Sequence, residues 1–229
     1  MLNNIGYSWG MPSLILYGPR CMSRIGAALK EAGPVDEIKT LLKHTGIDLE
    51  VYPGVNREPE DVHVEEGSKM FAEVKCDSII ALGGGSCIDA AKGIGVMATN
   101  PGKIWDYQGR DKVKFKMVPM VAIATTAGTA SEISRAAVIT DTRRTDKMII
   151  KDEKVRPNVA VCDPLLTVSM PPSVTASSGM DALTHAIEGY VSRECQPMTE
   201  MVALRAVHRQ RFGALWSRAQ NGNARCQCS

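Results

Sequence analysis

Asp181 and His185 stand four residues apart in GMDALTHAIEGY (residues 179–190), inside an apolar pattern of helical period. Positions i and i+4 share one face of a helix. A carboxylate and an imidazole placed this way project together, as two ligands of one divalent metal would. The same spacing also suits a structural pair whose members bond each other or buried backbone groups. A catalytic metal takes at least a third protein ligand, so the pair alone leaves both readings open.

A second chemistry lies in IIALGGGSCIDAAKG (79–93). An apolar strand runs through three glycines and a serine straight into a helix. Glycine lets a backbone approach a phosphate closely, and the free N–H groups at a helix start hold an anion. The spacing is neither G-x-G-x-x-G nor Walker A, so strand, turn and helix carry the reading. The competing one is a tight turn with Ser86 as helix cap. VPMVAIATTAGTASEIS (118–134) repeats the logic: a buried strand opens into Thr125, Thr126, Thr129 and Ser131. Their hydroxyls can bond a pyrophosphate, a ribose or a carboxamide at the carboxyl end of a strand, or Ser131 can cap a helix. No Ser-His-Asp or Cys-His arrangement offers a nucleophile.

The elements that must position these residues follow from periodicity. Strands are expected at 13–18, around Ile47–Val51, at 78–82, 118–124, 136–140, 147–151 and 158–163. Helices are expected at 21–33, 35–46, 58–75 and 86–98, followed by one long buried helix over 172–192. Alternating strands and helices define an α/β fold with a mostly parallel sheet. The pattern turns helical near residue 170. Residues 1–170 therefore read as an α/β dinucleotide-binding domain and 171–229 as the start of an all-α domain.

The 229 residues are 44% hydrophobic and 23% charged, with a net charge of +2. That is ordinary globular composition, without the basic surface that nucleic acid or an anionic membrane would require. No apolar run is long enough to span a bilayer, and the N-terminus lacks the basic and apolar regions of a secretory signal. The seven cysteines are odd in number and scattered, as reduced thiols of a cytoplasmic protein would be. Cys226 and Cys228 form a lone C-x-C in the tail, read as incidental.

GGGSCIDAAK, TTAGTASE and MPPSVTASSGMDALTHAIEGYVS, in that order, closely resemble the iron-dependent (group III) alcohol dehydrogenases over about residues 12–207. The likeness is to the branch with 1,3-propanediol dehydrogenase, lactaldehyde reductase and bacillary methanol dehydrogenase. It implies hydride exchange between a small primary alcohol, or its aldehyde, and NAD or NADP, assisted by Fe2+ or Zn2+, in a homo-oligomer. It implies that Gly84, Gly85 and Ser86 hold the pyrophosphate, with Asp89 close by. It places Thr125, Thr126, Thr129 and Ser131 on the nicotinamide side and Lys147 near the ribose. It makes Asp181 and His185 the first two metal ligands, catalytic through the metal. The related glycerol dehydrogenase and dehydroquinate synthase group shares the glycine loop but fits the other two motifs less well.

The sequence also departs from the family. Two further metal-binding histidines are expected downstream, yet only His208 follows His185, in a basic tail (206–229) without a clean apolar stripe. That tail reads as a truncated or frame-shifted end, which would leave the apolar face of residues 173–192 without its partner. After Gly33-Pro34 the strand that selects the adenosine ribose has no counterpart, and NREPE (56–60) replaces a family asparagine. Nothing therefore distinguishes NAD from NADP. The alternative function is a catalytically inactive nucleotide-binding fragment or interaction module.

Overall fold

The computed structural model describes residues 14–17, 49–55, 58–168 and 170–219, with side chains in all but 14–17 and 211–219. The helices expected at 21–33 and 35–46, and the C-x-C tail, lie outside the described residues. The chain divides at Pro171 into two compact units.

The first unit carries a four-stranded, wholly parallel sheet in the order β1-β7-β4-β2. Its strands are β1 (Leu14–Tyr17), β2 (Ile79–Gly83), β4 (Met120–Ala124) and β7 (Val159–Cys162). A second sheet, β3-β6-β5, combines β3 (Gly109–Arg110), β5 (Ala136–Asp141) and β6 (Asp146–Lys151). Here β3 runs parallel to β6, while β5 and β6 form an antiparallel hairpin from Ala136↔Lys151 to Asp141↔Asp146. The sequence predicts these last two strands but not their separate sheet. Leu49–Val51, expected as a strand, has no regular structure.

Helix α1 spans Asp61–Glu73 and helix α2 spans Gly85–Thr99. The α2 sequence places Ile88, Ala91 and Val96 toward a core shared with Val64 of α1, Met120 and Ala122 of β4 and Ile139 of β5. Burying each large aliphatic side chain stabilises the fold by about 1.5–3 kcal/mol. The helix stops at Asn100-Pro101, where proline disfavours helical backbone in the residue before it. The buried Asn100 amide donates to the Val96 and Phe115 carbonyls, and its oxygen accepts from the N–H groups of Lys114 and Phe115. One side chain thus both ends α2 and holds the following loop.

The second unit contains α3 (Pro172–Val191) and α4 (Pro197–Ala219), packed on each other. Pro172 opens α3, where a missing N–H is tolerated. The long helix expected over 172–192 forms, but it is not buried: only Ser178 and Ala186 are. Met180, Ile187, Tyr190 and Val191 on α3 and Met198, Met201, Val202 and Leu204 on α4 are exposed. The segment from residue 206, which has no clean apolar stripe, nonetheless continues as helix to Ala219. No helix among the described residues is long and apolar enough to cross a membrane.

Candidate active site

Strands β2 and β4 are neighbours, with Gly83 in register with Ala124. Both therefore deliver their following loops to the same sheet edge, the usual ligand edge of a parallel sheet. The Thr125 N–H donates to the Gly83 carbonyl at 3.0 Å and extends the pairing into the loops. Gly83 has φ +155°, and a Cβ there would sit 2.7 Å from the Cys87 Cβ. A Cβ on Gly84 would meet Thr126 at 3.1–3.2 Å, and one on Gly85 would meet Thr129 at 2.7–2.9 Å. The glycine turn and the hydroxyl loop thus face each other in direct contact, and sequence spacing alone gave no sign of this.

Ser86 is not the cap of α2. Gly84 is the N-cap residue, in extended backbone, and no side chain caps it. The first intrahelical bond is Ile88 N–H to the Gly84 carbonyl at 3.1 Å. The N–H groups of Gly85, Ser86 and Cys87 precede that bond, at the positive end of the helix. Ser86 lies in the first turn beside them. The Cys87 thiol donates to the Leu82 carbonyl at 3.2 Å. Burial pushes its pKa up.

Ser131 is buried and Asp89 half-buried. The Ser131 hydroxyl donates to the Asp89 carboxylate, whose other oxygen accepts the Val138 N–H at 3.0 Å. Both serve a residue that the sequence reading passed over, Lys92, whose side chain is fully buried. The Lys92 ammonium donates to Ser131 Oγ at 3.0 Å, Ser134 Oγ at 3.0 Å and the Ala136 carbonyl at 2.6 Å. Asp89 lies 3.5 Å away. Burial pulls the Lys92 pKa from 10.5 down to about 8, against the opposing charge of Asp89. The available signal was a lysine in an apolar helix, three residues after an aspartate.

Lys147 is on β6, in the second sheet. Its ammonium pairs with Glu58 at 3.1 Å, both side chains being exposed. Asp181 and His185 lie on one face of α3, with His185 Nε2 3.8 Å from Asp181 Oδ1 and both side chains substantially exposed. Among the described residues, no group of three His, Cys, Asp or Glu gathers at one point. His208 belongs to α4, beside Met201, Arg205 and Arg209. The donor set at Asp181 and His185 is chemically right for a divalent metal but is two ligands, short of a complete site.

A parallel α/β sheet with facing glycine and hydroxyl loops on adjacent strands defines the class of fold, and solved structures share it. A 1,3-propanediol oxidoreductase crystal structure superposes with a TM-score of 0.86 at 34% identity, covering 95% of this chain and 61% of that one. The sequence matches "Iron-containing alcohol dehydrogenase" over residues 12–164 and "Fe-containing alcohol dehydrogenase family, C-terminal" over residues 175–214. The chain belongs to the iron-containing alcohol dehydrogenase family. It is 44% identical over 181 residues to the NAD-dependent methanol dehydrogenase of Bacillus methanolicus, covering 79% of this chain and 48% of that protein. To the 1,3-propanediol dehydrogenase of Citrobacter freundii it is 36% identical over 219 residues, covering 88% of this chain and 57% of that protein. The chain thus spans about half the length of the curated relatives it matches. Family likeness reaches residue 214, beyond the expected limit of 207 and into the tail that seemed foreign to it.

Proposed function

We propose that the chain takes part in hydride transfer between a small primary alcohol, or its aldehyde, and NAD or NADP, with a divalent metal, Fe2+ or Zn2+, as helper. In this reading residues 1–170 are the dinucleotide-binding domain and 171–229 the start of the helical metal-binding domain. The observation that carries it is the contact between the glycine turn and the hydroxyl loop at the ends of β2 and β4. The N–H groups of Gly85 and Ser86, with Gly84 kept free of a side chain, bind the pyrophosphate at the helix start. Thr125, Thr126 and Thr129 orient the nicotinamide half. Ser131 and Asp89 support that wall from behind, and Lys147 reaches toward the ribose when released from Glu58.

Oxidation of an alcohol removes a hydride from the carbinol carbon and a proton from its hydroxyl. The nicotinamide supplies the redox chemistry and this chain supplies position and field. A divalent metal lowers the pKa of an alcohol oxygen, and Asp181 and His185 are the residues that would hold it. Two ligands do not complete such a site. A second reading, in which the chain binds the nucleotide without turning over alcohol, accords with the two ligands that α3 supplies among the described residues. Cytoplasmic residence accords with the reduced thiols of Cys76, Cys87 and Cys195. A homo-oligomer accords with the exposed apolar side chains of α3 and α4.

The test is NADH titration of the purified chain, followed by elemental analysis after dialysis and an assay with small primary alcohols. Saturable NADH binding, about one metal per chain and alcohol-dependent NADH formation support the dehydrogenase. NADH binding without metal or turnover selects the second reading, and no NADH binding overturns both.

A further inference from the structure

We infer that Lys92 is a positioning residue for the dinucleotide site, fixing the hydroxyl loop 125–134 against the glycine turn. The inference rests on the reading of these loops as the cofactor site. Its basis is the way α2 grips the loop at two places. At the helix start, Gly84 and Gly85 touch Thr126 and Thr129. About two turns further on, Lys92 takes hold of the loop's far end.

An ammonium has three N–H donors, and each one is used here. They go to Ser131 Oγ, Ser134 Oγ and the Ala136 carbonyl, which belong to the end of the loop and the first residue of β5. Ser131 passes the connection back to α2 through its bond to Asp89, and Asp89 accepts the Val138 N–H of β5. The loop between these two anchors carries one strained residue. Ala130 has φ +53°, a left-handed backbone that alanine does not favour. The Ile133 and Ser134 N–H groups close a turn on the Ala130 carbonyl at 3.1 and 3.0 Å, and Thr129 accepts the Ser131 N–H at 3.3 Å. A strained turn persists only where its surroundings over-determine it. Lys92 supplies that determination from a position with no side-chain exposure, so it does not touch the cofactor itself.

Two variants of the full chain test this. Lys92→Met keeps an unbranched apolar stem of similar length and removes the ammonium. Ser134→Ala removes one of its three acceptors and leaves both the fold and the predicted cofactor-binding residues in place. The first readout is backbone amide hydrogen exchange, which resolves local opening. Residues 125–134 should exchange at least tenfold faster in K92M and about threefold faster in S134A, with β2 and β4 unchanged. The second readout is the NADH dissociation constant, expected to rise about tenfold in K92M and two- to threefold in S134A, while S134A stays folded with a melting temperature only a few degrees lower, as the loss of one buried acceptor entails. Unchanged loop exchange in S134A overturns the inference even if K92M fails to fold. Faster loop exchange with unchanged NADH affinity overturns it as well, because the loop would then be fixed for some other purpose. Wild-type protein that binds no NADH is a different failure: it removes the proposed function and, with it, the link from Lys92 to a cofactor.

Discussion

The two units hold their candidate chemistry in opposite ways. In the first, the residues expected at the phosphate site come from loops on adjacent strands of one sheet and touch each other, and the polar groups behind them are bonded. In the second, Asp181 and His185 stand on one exposed helix face, 3.8 Å apart, with no third donor gathered near them among the described residues. The difference lies in where the binding groups come from. A phosphate site is made of backbone N–H groups and closely packed loops, so the local fold completes it. A metal site is made of side chains from several segments, and a correct helix contributes only its share.

The comparison breaks most readily at the glycine turn. Gly85→Val places its Cβ within 2.7–2.9 Å of Thr129. It should abolish NADH binding and cost about 1–3 kcal/mol of stability, as overpacking commonly does. Gly84→Val meets Thr126 at 3.1–3.2 Å and should block the phosphate with a smaller stability loss. NADH titration and thermal melts of both variants check this, and wild-type affinity in either would remove the turn from the site.

The metal side gives the next largest effect. Asp181→Ala and His185→Ala should each lower bound iron or zinc at least tenfold, with the melting temperature nearly unchanged, because both side chains are substantially exposed. Elemental analysis after dialysis decides, and equal metal content in the variants and wild type would disqualify the pair.

Lys92 allows a pH test of the buried network. Its pKa is about 8 in the folded chain against 10.5 when free. Between those values the unfolded chain binds the extra proton, so this group makes stability increase as pH rises from about 8 toward 10.5. Below pH 8 the cost of burying the ammonium is present in full. The raised thiol of Cys87 acts in the opposite sense as pH rises beyond its ordinary value of 9.0. Urea melts of wild type and K92M across this range separate the two, and parallel curves would mean that Lys92 does not titrate there. The smallest effect belongs to Lys147→Ala. Its exposed pair with Glu58 is worth at most about 1 kcal/mol, so the melting temperature should hold while NADH affinity falls two- to fivefold.

Much of this was legible because the first unit obeys local rules. IIALGGGS and VPMVAIATT showed their strands through apolar runs ending in turn chemistry, and the helix over 172–192 showed itself through proline and period. Three things were not legible. AAVIT and KMIIK read as members of one parallel sheet, because alternation reveals a strand and not its partner. Ser86 offered a competing reading as a cap because hydroxyls favour that position, whereas the turn set the cap two residues earlier, at Gly84. Lys92 escaped notice because its value lies in acceptors 39 to 44 residues away, a distance that no local pattern spans. The burial of α3 was over-read for the opposite reason: an apolar helix promises a covered face, and only packing delivers one.

Cys87 adds a consequence for chemical reactivity. Its thiol sits in the first turn of α2, directly against the glycine bend, with its proton held on the Leu82 carbonyl and its acidity weakened by burial. Thiolate is the reactive form, so alkylating reagents should modify this sulfur slowly while the bend is closed. The rate at which Cys87 is labelled is therefore a clock for opening of the glycine turn, and a bound dinucleotide should slow it.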